Sequence, residues 1–472
     1  MAFFKNDTIV ALTTAPLAAG VGVIRVSGPQ ALDAVQKLFA KTISQPRHMY
    51  YGQLSALDGR ALDEVMAVYF KAPHSFTGED VVEINCHGGL AVIDSILCEL
   101  KRFDKVRSAE AGEFTRRAFM NDKLDLTAAE GIADLVAAET EEQRKQALSH
   151  VKGELSNLFE DWRSQIMHLL AHTEAAIDFP DEELDVLAEA GIEQKIQTLL
   201  SQLQGAVATN AGERLRDGFK VAILGKPNAG KSSLTNLLTG KETAIVSDIA
   251  GTTRDVIDSH LNIGGYPVIL SDTAGIRETD DVIEKEGVGR ARAKAQEADF
   301  TILVVDPTSF DTEDQALLPL LQTGRSCVVF SRKDKLNDLV ECSKVNQLVE
   351  CSGDELYVHD HDRRLPALHL NLQDRDSLAP LLVVLEGMIQ SLFGQSQNQA
   401  RISRERHRLA ILDTCSHLER GLNLFAMADS LSLSELLAQD LRDAAASIGQ
   451  VTGKTDTEDV LDLVFSSFCI GK

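Results

Sequence analysis

Phe219-Lys220-Val221-Ala222-Ile223-Leu224-Gly225-Lys226-Pro227-Asn228-Ala229-Gly230-Lys231-Ser232 reads as an apolar strand, a glycine-bounded loop and the opening of a helix. A loop of this form points its backbone N–H groups at a helix N-terminus and can cradle the β- and γ-phosphates of a nucleotide. Lys231 would reach those phosphates, and the Ser232 hydroxyl would ligate Mg²⁺. Gly251-Thr252-Thr253-Arg254-Asp255 and Asp272-Thr273-Ala274-Gly275 follow in order. Asp272 ends a second apolar strand, Val268–Ser271, where a carboxylate can hold a water on the magnesium. Strand, loop, helix, threonine pair and Asp-x-x-Gly in this order imply a nucleotide switch on a Ras-like, doubly wound α/β sheet.

Working outward, strands are predicted at Phe219–Leu224, Ile257–Ile263, Val268–Ser271, Thr301–Val305 and Ser326–Phe330, within a nucleotide domain at 217–377. Residues 1–120 mix apolar runs at Thr8–Leu12, Val21–Val26, Glu64–Phe70 and Val81–Asn85 with helical stretches at Ala31–Phe39 and Leu90–Phe103, an α+β domain. Residues 121–216 turn helical. Leu148, Val151, Leu155, Leu158, Trp162 and Leu169 fall at helical steps and predict one face of a single long helix, used for core packing. Phe179-Pro180-Asp181 breaks that pattern and a second helix is expected after it. Helical periodicity resumes over 378–472, through Leu409, Leu412, Leu418, Leu422 and Phe425, and ends in Thr455–Phe468, where Thr455-x-x-Glu458 offers a capping box. The economical architecture is multidomain: an N-terminal α+β domain and a helical domain into which the switch domain is inserted.

At 472 residues there is room for about three cores. The chain carries 47 basic and 71 acidic residues, net −24, a field that repels phosphate backbones as a whole. Nucleic-acid contact is therefore expected to be local or supplied by a partner. No run of eighteen apolar residues occurs, and Met1-Ala2-Phe3-Phe4-Lys5 lacks a signal-peptide core, so a cytoplasmic protein without a membrane span is expected. Seven cysteines, an odd number without zinc-site spacing, read as reduced thiols. His87 has no second ligand at metal spacing and reads as structural. Arg254, Arg277, Arg290 and Arg292 read as switch-region ion pairs or contacts to a second subunit.

Ras-type switches carry a glutamine after Asp-x-x-Gly that orients the attacking water. Ile276 stands here and cannot polarise water, so hydrolysis must draw its groups from elsewhere. Asn228 could ligate a monovalent cation against the phosphates, and Ser247-Asp248-Ile249-Ala250-Gly251-Thr252 could complete that site with carbonyls and hydroxyls.

Asn6-Asp7-Thr8-Ile9-Val10-Ala11, Ser75-Phe76-Thr77-Gly78-Glu79-Asp80, His87-Gly88-Gly89, Gly112-Glu113-Phe114, Asn121-Asp122-Lys123-Leu124-Asp125-Leu126, Glu174-Ala175-Ala176-Ile177-Asp178-Phe179-Pro180, the switch motifs and Phe468-Cys469-Ile470-Gly471-Lys472 stand in one order. In these the chain resembles the tRNA-modification GTPase family MnmE (TrmE) over its whole length. The resemblance implies a homodimer of three-domain subunits, with residues 1–120 serving folate binding and dimerisation and the G domains pairing across GTP in a potassium-dependent way. It implies a flavoprotein partner of the MnmG type, tRNA as substrate, and modification of the wobble uridine with 5-formyl- or methylene-tetrahydrofolate. Carried over by position, Asn228, Ser247, Ile249 and Thr252 match potassium ligands. Ser232 and Thr253 match magnesium ligands. Ala229, Gly230, Lys231, Ser233, Asp272, Thr273, Ala274, Gly275 and Asp334 complete the GTP site, with Lys231 and Glu284 as catalytic groups, Glu284 positioning water. Arg25, Glu83, Lys123 and Lys472 match folate contacts, and Cys469 a catalytic or site-shaping thiol. Glu83 could accept from a pterin's amino edge, while Arg25, Lys123 and Lys472 could meet glutamate or formyl oxygens.

Three stretches depart from the family pattern. Ser331-Arg332-Lys333-Asp334 stands for Asn-Lys-x-Asp, which keeps the guanine-reading aspartate and loses the asparagine amide. The Ser-Ala motif expected near Leu368-His369-Leu370-Asn371-Leu372 is not recognisable, within an acidic, polar stretch from Asp338 to Asp376. Ala15-Pro16-Leu17-Ala18-Ala19-Gly20 replaces a Gly/Arg-rich turn. Rival readings are a regulatory GTPase of the Era/Der kind, opposed by the acidic balance, and a folate-binding scaffold with an impaired G domain, opposed by intact Lys231, Ser232, Thr253, Asp272 and Glu284.

Overall fold

The computed structural model describes residues 7–178, 191–208, 210–240, 258–271, 292–331, 349–352, 355–360, 363–393, 402–425, 432–454, 461, 464–465, 468 and 471. They fall into two compact units: Met1–Ala133, Ser149–Leu203 and Ala410–Lys472 form the first, and Asp134–Leu148 with Gln204–Leu409 the second.

In the first unit, β1 (Thr8–Leu12), β2 (Ala19–Ser27), β3 (Met49–Ser55), β4 (Ala61–Phe70), β5 (Val81–Gly88) and β6 (Val106–Ser108) make one sheet in the order β3-β4-β5-β2-β1-β6. Alternation assigns its faces. Val10, Ile24, Val26, Val65, Ala67, Val82 and Ile84 point into a core shared with α1 (Ala31–Leu38) and α2 (Leu90–Leu100). Ile9 and Ala11 point the other way, onto Phe114 of α3 (Glu113–Met120) and Phe76. The edge strand β3 was not predicted, because Met49 and Tyr51 are exposed and only Gly52 and Leu54 are buried.

The predicted single long helix is two. α4 (Leu126–Ala137) is followed by α5 (Glu141–Val151) and α6 (Glu154–Asp178), separated at Gly153, whose φ of 85° no helix can hold. Within α6 the stripe continues as Leu155, Phe159, Trp162, Ile166 and Leu169, all buried, and α6 packs on α13 (Ser432–Thr452). The second helix expected after Phe179-Pro180-Asp181 is α7 (Ile192–Val207). Thr455–Glu458 lies outside the described residues. Leu461, Val464, Phe465 and Phe468 are described, and they pack on Leu126 and Ala129.

In the second unit α8 (Ala211–Asp217) leads into an eight-stranded sheet ordered β12-β13-β14-β11-β10-β7-β9-β8. β14 (Arg363–His369), β11 (Ser326–Phe330), β10 (Phe300–Val305), β7 (Phe219–Leu224) and β9 (Tyr266–Ser271) run parallel, with β8 (Asp258–Ile263) antiparallel at one edge. β12 (Val349–Ser352) and β13 (Glu355–Asp360) add an antiparallel ribbon at the other edge, inside the acidic stretch. That ribbon carries little apolar signal. β13 pairs with β14 through Asp360 with Arg363 and His359 with Arg364, and among the described residues Val358 of β13 and Leu365 and Ala367 of β14 are buried. α9 (Lys231–Leu238) follows the glycine loop, and α11 (Ala379–Phe393) lays Leu381, Leu385, Ile389 and Phe393 on the sheet core. Among the described residues, Arg375–Phe393 alone is long and apolar enough to cross a membrane, with 28% of that stretch buried inside the protein. α12 (Glu405–Phe425) follows.

Candidate functional site

β7 is buried at Phe219 and from Val221 to Leu224, and the loop leaves its carboxyl end, where open parallel sheets bind ligands. Gly225, Asn228 and Gly230 hold φ of 144°, 65° and 109°. Asparagine is the side chain that best tolerates the left-handed region after glycine, so Asn228 suits the loop's apex. Gly230 caps α9. Lys231 Nζ donates to the carbonyls of Gly225 and Lys226, both at 2.8 Å, which folds the lysine over the loop's entrance. Ala229 is buried, whereas Asn228, Ser232 and Ser233 are exposed.

The neighbouring strands close the loop from the side. Ser331, first residue of the altered guanine motif, is buried, and its hydroxyl donates to Val305 O at 3.2 Å. Leu372 Cδ1 lies 2.6 Å from where a Cβ on Gly230 would stand. Apolar contact thus fills the space over Gly230, and the Ser331 hydroxyl is used by the strand backbone.

The residues matched to a folate site lie in the first unit. Arg25 and Glu83 face each other across the β2–β5 register. Arg25 Nε and Nη2 both donate to Glu83 Oε1, at 2.9 and 2.8 Å. The Arg25 guanidinium is thus engaged by Glu83 through two of its nitrogens. It also lies over two rings, 5.1 Å from the Phe76 centroid and 5.5 Å from that of Phe114. Lys123 is exposed, and its Nζ donates to Pro73 O at 2.9 Å. Its stem lies beside Gly78, so Arg25 and Lys123 flank the same loop, 73–79. Gly471, at φ 102°, packs so closely on β1 that a Cβ there would run into Leu12 O. β1 is the strand on which Ala11 pairs with Arg25, so Gly471 packs on the strand next to the one that carries Arg25.

Beneath this floor sits a buried ionic network. Arg117 donates to Asp7 Oδ1 at 2.8 Å, to Glu113 Oε1 at 2.9 Å and to Glu79 at 3.2 Å. Arg107 donates to Glu113 at 2.6 and 2.8 Å and to Asp7 at 2.7 Å. Burial pushes the Glu113 carboxyl up, but hydrogen bonds from Arg107, the Glu110 N–H and Arg117 outweigh it and hold the group below the ordinary carboxylate range. The network fixes the start of α3, and with it Phe114.

Ser247, Ile249, Thr252, Thr253, Asp272, Thr273, Ala274, Gly275, Glu284, Asp334, Cys469 and Lys472 lie outside the described residues, as do Arg254, Arg277 and Arg290. Arg292 is exposed. His87 is held by Asp63, its ring Nδ1 at 2.7 Å from Oδ1 and its backbone N–H donating to Oδ2 at 2.8 Å. Cys86, Cys98, Cys327 and Cys415 are free thiols, and burial pushes Cys86 up to about 11. The reading from sequence missed Phe76 and Phe114 as the surface under Arg25. Both stand inside motifs quoted for the resemblance, but nothing in a linear string says that their rings share one guanidinium.

A strand that runs into a glycine loop, a lysine folded over that loop and a helix opening behind it, at the carboxyl end of a parallel sheet, define a P-loop nucleotide-binding domain. The MnmE helical domain family matches residues 126–469, and the family described as GTP-binding protein TrmE N-terminus matches 8–123. A protein of Rhodospirillum rubrum named tRNA modification GTPase MnmE is 42% identical, with 99% of each chain covered. One of the same name from Parvibaculum lavamentivorans is 43% identical over 99% of this chain and 100% of its own. The chain belongs to the tRNA modification GTPase MnmE family. Among solved structures, the G domain of the T. maritima FeoB iron transporter is 22% identical over 37% of this chain and 98% of its own, with a TM-score of 0.25, too weak a likeness to bear on the fold.

Proposed function

We propose that this chain is a potassium-activated GTPase that, with a flavoprotein partner of the MnmG type, modifies the wobble uridine of certain tRNAs using a one-carbon tetrahydrofolate. Family membership and the loop at 225–232 support the GTPase half. The observation that carries the potassium requirement is Asn228 at the exposed, left-handed apex of that loop, in a chain with Ile276 where a water-orienting glutamine would stand. Asn228, with Ser247, Ile249 and Thr252, would hold potassium, which supplies positive charge where phosphoryl transfer develops negative charge. Ser232 and Thr253 would hold magnesium, Glu284 would position water, and Asp334 would read the guanine.

For the folate, the donor set fits. Both Arg25 contacts fall on Oε1 of Glu83, which leaves Oε2 as an acceptor, and the Phe76 and Phe114 rings lie against the same guanidinium. A flat amino-bearing ring matches that combination of carboxylate and aromatic surface. Arg25, Lys123 and Lys472 would meet the folate's anionic groups, and Cys469 would stand beside them. The protein would act as a cytoplasmic homodimer. GTP turnover in potassium and in sodium at matched ionic strength tests the reading. Severalfold faster turnover in potassium is expected, and equal rates reject it.

A further inference from the structure

We propose that Lys226, the second residue of the glycine loop, is a positioning residue: it sets the loop's first half for nucleotide through a tie to Asp311 and Asp314 and does not itself contact phosphate. Lys226 Nζ lies 2.8 Å from Asp311 Oδ2 and 2.8 Å from Asp314 Oδ2, and it also donates to Ser309 O. An ammonium has three protons, and these three acceptors take them.

The acceptor end is itself rigid. Asp311 caps α10 (Thr312–Leu317), its Oδ1 accepting from Glu313 N at 3.0 Å and Asp314 N at 3.4 Å, while Asp314 Oδ2 accepts from Asp311 N at 3.2 Å. Asp314 is fully buried and its Oδ1 has no partner among the described residues; burial pushes its carboxyl up, and the Lys226 ammonium is the cation that opposes this. Burial works against the charge on Lys226, but the two aspartates outweigh it and keep the ammonium protonated.

The sheet explains the reach. β7 and β10 are neighbours, Leu224 opposite Leu303, and the loop and the 306–311 segment leave their adjacent carboxyl ends. Gly225 crosses β10 so closely that a Cβ would strike Val304 O. Lys226 therefore straps the loop to the next strand's exit. The strap reaches the chemistry through Lys231, whose Nζ is held by the carbonyls of Gly225 and of Lys226 itself. Moving residue 226 moves the lysine meant for the phosphates.

The inference rests on nucleotide occupying this loop, as proposed above, and its test separates the two. The full chain is titrated with fluorescent mant-GDP, and melting is followed on the same samples, for wild type, Lys226→Met, Asp314→Leu and the double variant. Asp314→Asn stands in should Asp314→Leu not fold. Each single change should weaken mant-GDP binding about tenfold, and the double no more than the worse single, because all three remove one tie. Lys226→Met should also lower the melting temperature by leaving Asp314 buried and unpaired, and the double variant should recover it without recovering affinity. Additive losses, or wild-type binding by both Asp314 variants, would mean that Lys226 meets the nucleotide directly. Wild-type affinity in the double variant would mean that the tie serves stability alone. A wild-type chain that binds no mant-GDP would overturn the nucleotide site and this strap with it.

Discussion

Replacing Gly471 with alanine should abolish folate-dependent tRNA modification while sparing the rest of the molecule. Gly471 sits at φ 102°, and a Cβ there would stand 3.0 Å from Leu12 C and 3.1 Å from Thr13 Cα, in collision with Leu12 O. Both obstacles are backbone, so no side chain can rotate away. Holding alanine in that conformation costs about 1–3 kcal/mol before any steric term, and the end of the chain relieves it by lifting off β1. How far the lifting spreads is set by what holds the preceding residues. Leu461, Val464, Phe465 and Phe468 are buried against Leu126 and Ala129. At about 1.5–3 kcal/mol per buried apolar side chain, they contribute about 6–12 kcal/mol as an upper estimate. That exceeds the strain severalfold, so the segment through Phe468 stays docked and only the last residues move.

Gly471→Ala should therefore melt within about 1 kcal/mol of wild type and hydrolyse GTP at the wild-type rate, yet bind 5-formyltetrahydrofolate more weakly by calorimetry and fail in tRNA modification assayed with the proposed flavoprotein partner. Normal folate affinity in the folded variant would show that the chain end takes no part in the site. Collapse of stability would show that the burial upstream does not hold the segment, and the estimate above would be wrong.

Three other outcomes are expected elsewhere in the structure. Ser331 is buried beside Gly230 under Leu372, so Ser331→Asn alone overpacks, whereas Ser331→Asn with Leu372→Ala makes room for the amide. The double variant should favour GTP over ATP about fivefold more than wild type, the worth of about 1 kcal/mol, in competition binding; no gain would mean that another group reads the base. Arg117→Met removes the cation shared by Asp7, Glu79 and Glu113 and should cost about 3–5 kcal/mol in urea unfolding, while a loss below about 1 kcal/mol would show the network to be dispensable. Glu113, held below the ordinary carboxylate range in the fold, gives stability that is fully present above its unfolded pKa near 4.3 and is lost as pH falls through the lower folded value. Glu113→Gln should flatten that acid limb, and an unchanged limb would remove Glu113 as its source.

The parts of this protein legible in its sequence are those whose chemistry lies within one short stretch. The glycine loop is an example: φ at Gly225 and Gly230, the helix opening at Lys231 and the buried run of β7 are local consequences of local residues. The break between α5 and α6 was local too, at Gly153, but the apolar period carried through it and hid it. β12 and β13 escaped because they are short edge strands whose apolar residues, Val349, Leu356 and Val358, stand among charged and polar neighbours in an acidic stretch.

The residues proposed for folate depend on register. Arg25 and Glu83 are 58 positions apart, and it is the pairing of β2 with β5 that sets one opposite the other as an ion pair. A one-residue slip would send Glu83 to the opposite face, away from Arg25. Phe76, Phe114 and Gly471 join that pair through the packing of loop, helix and chain end on β1 and β2. Lys226 belongs to both groups: the glycine spacing announces it as a phosphate-loop residue, and the adjacency of β7 and β10 gives its three donors to a neighbouring helix instead. Where local spacing and sheet adjacency disagree about a side chain, adjacency decides its partners, because a buried ammonium has to be satisfied by whatever acceptors the sheet places within reach.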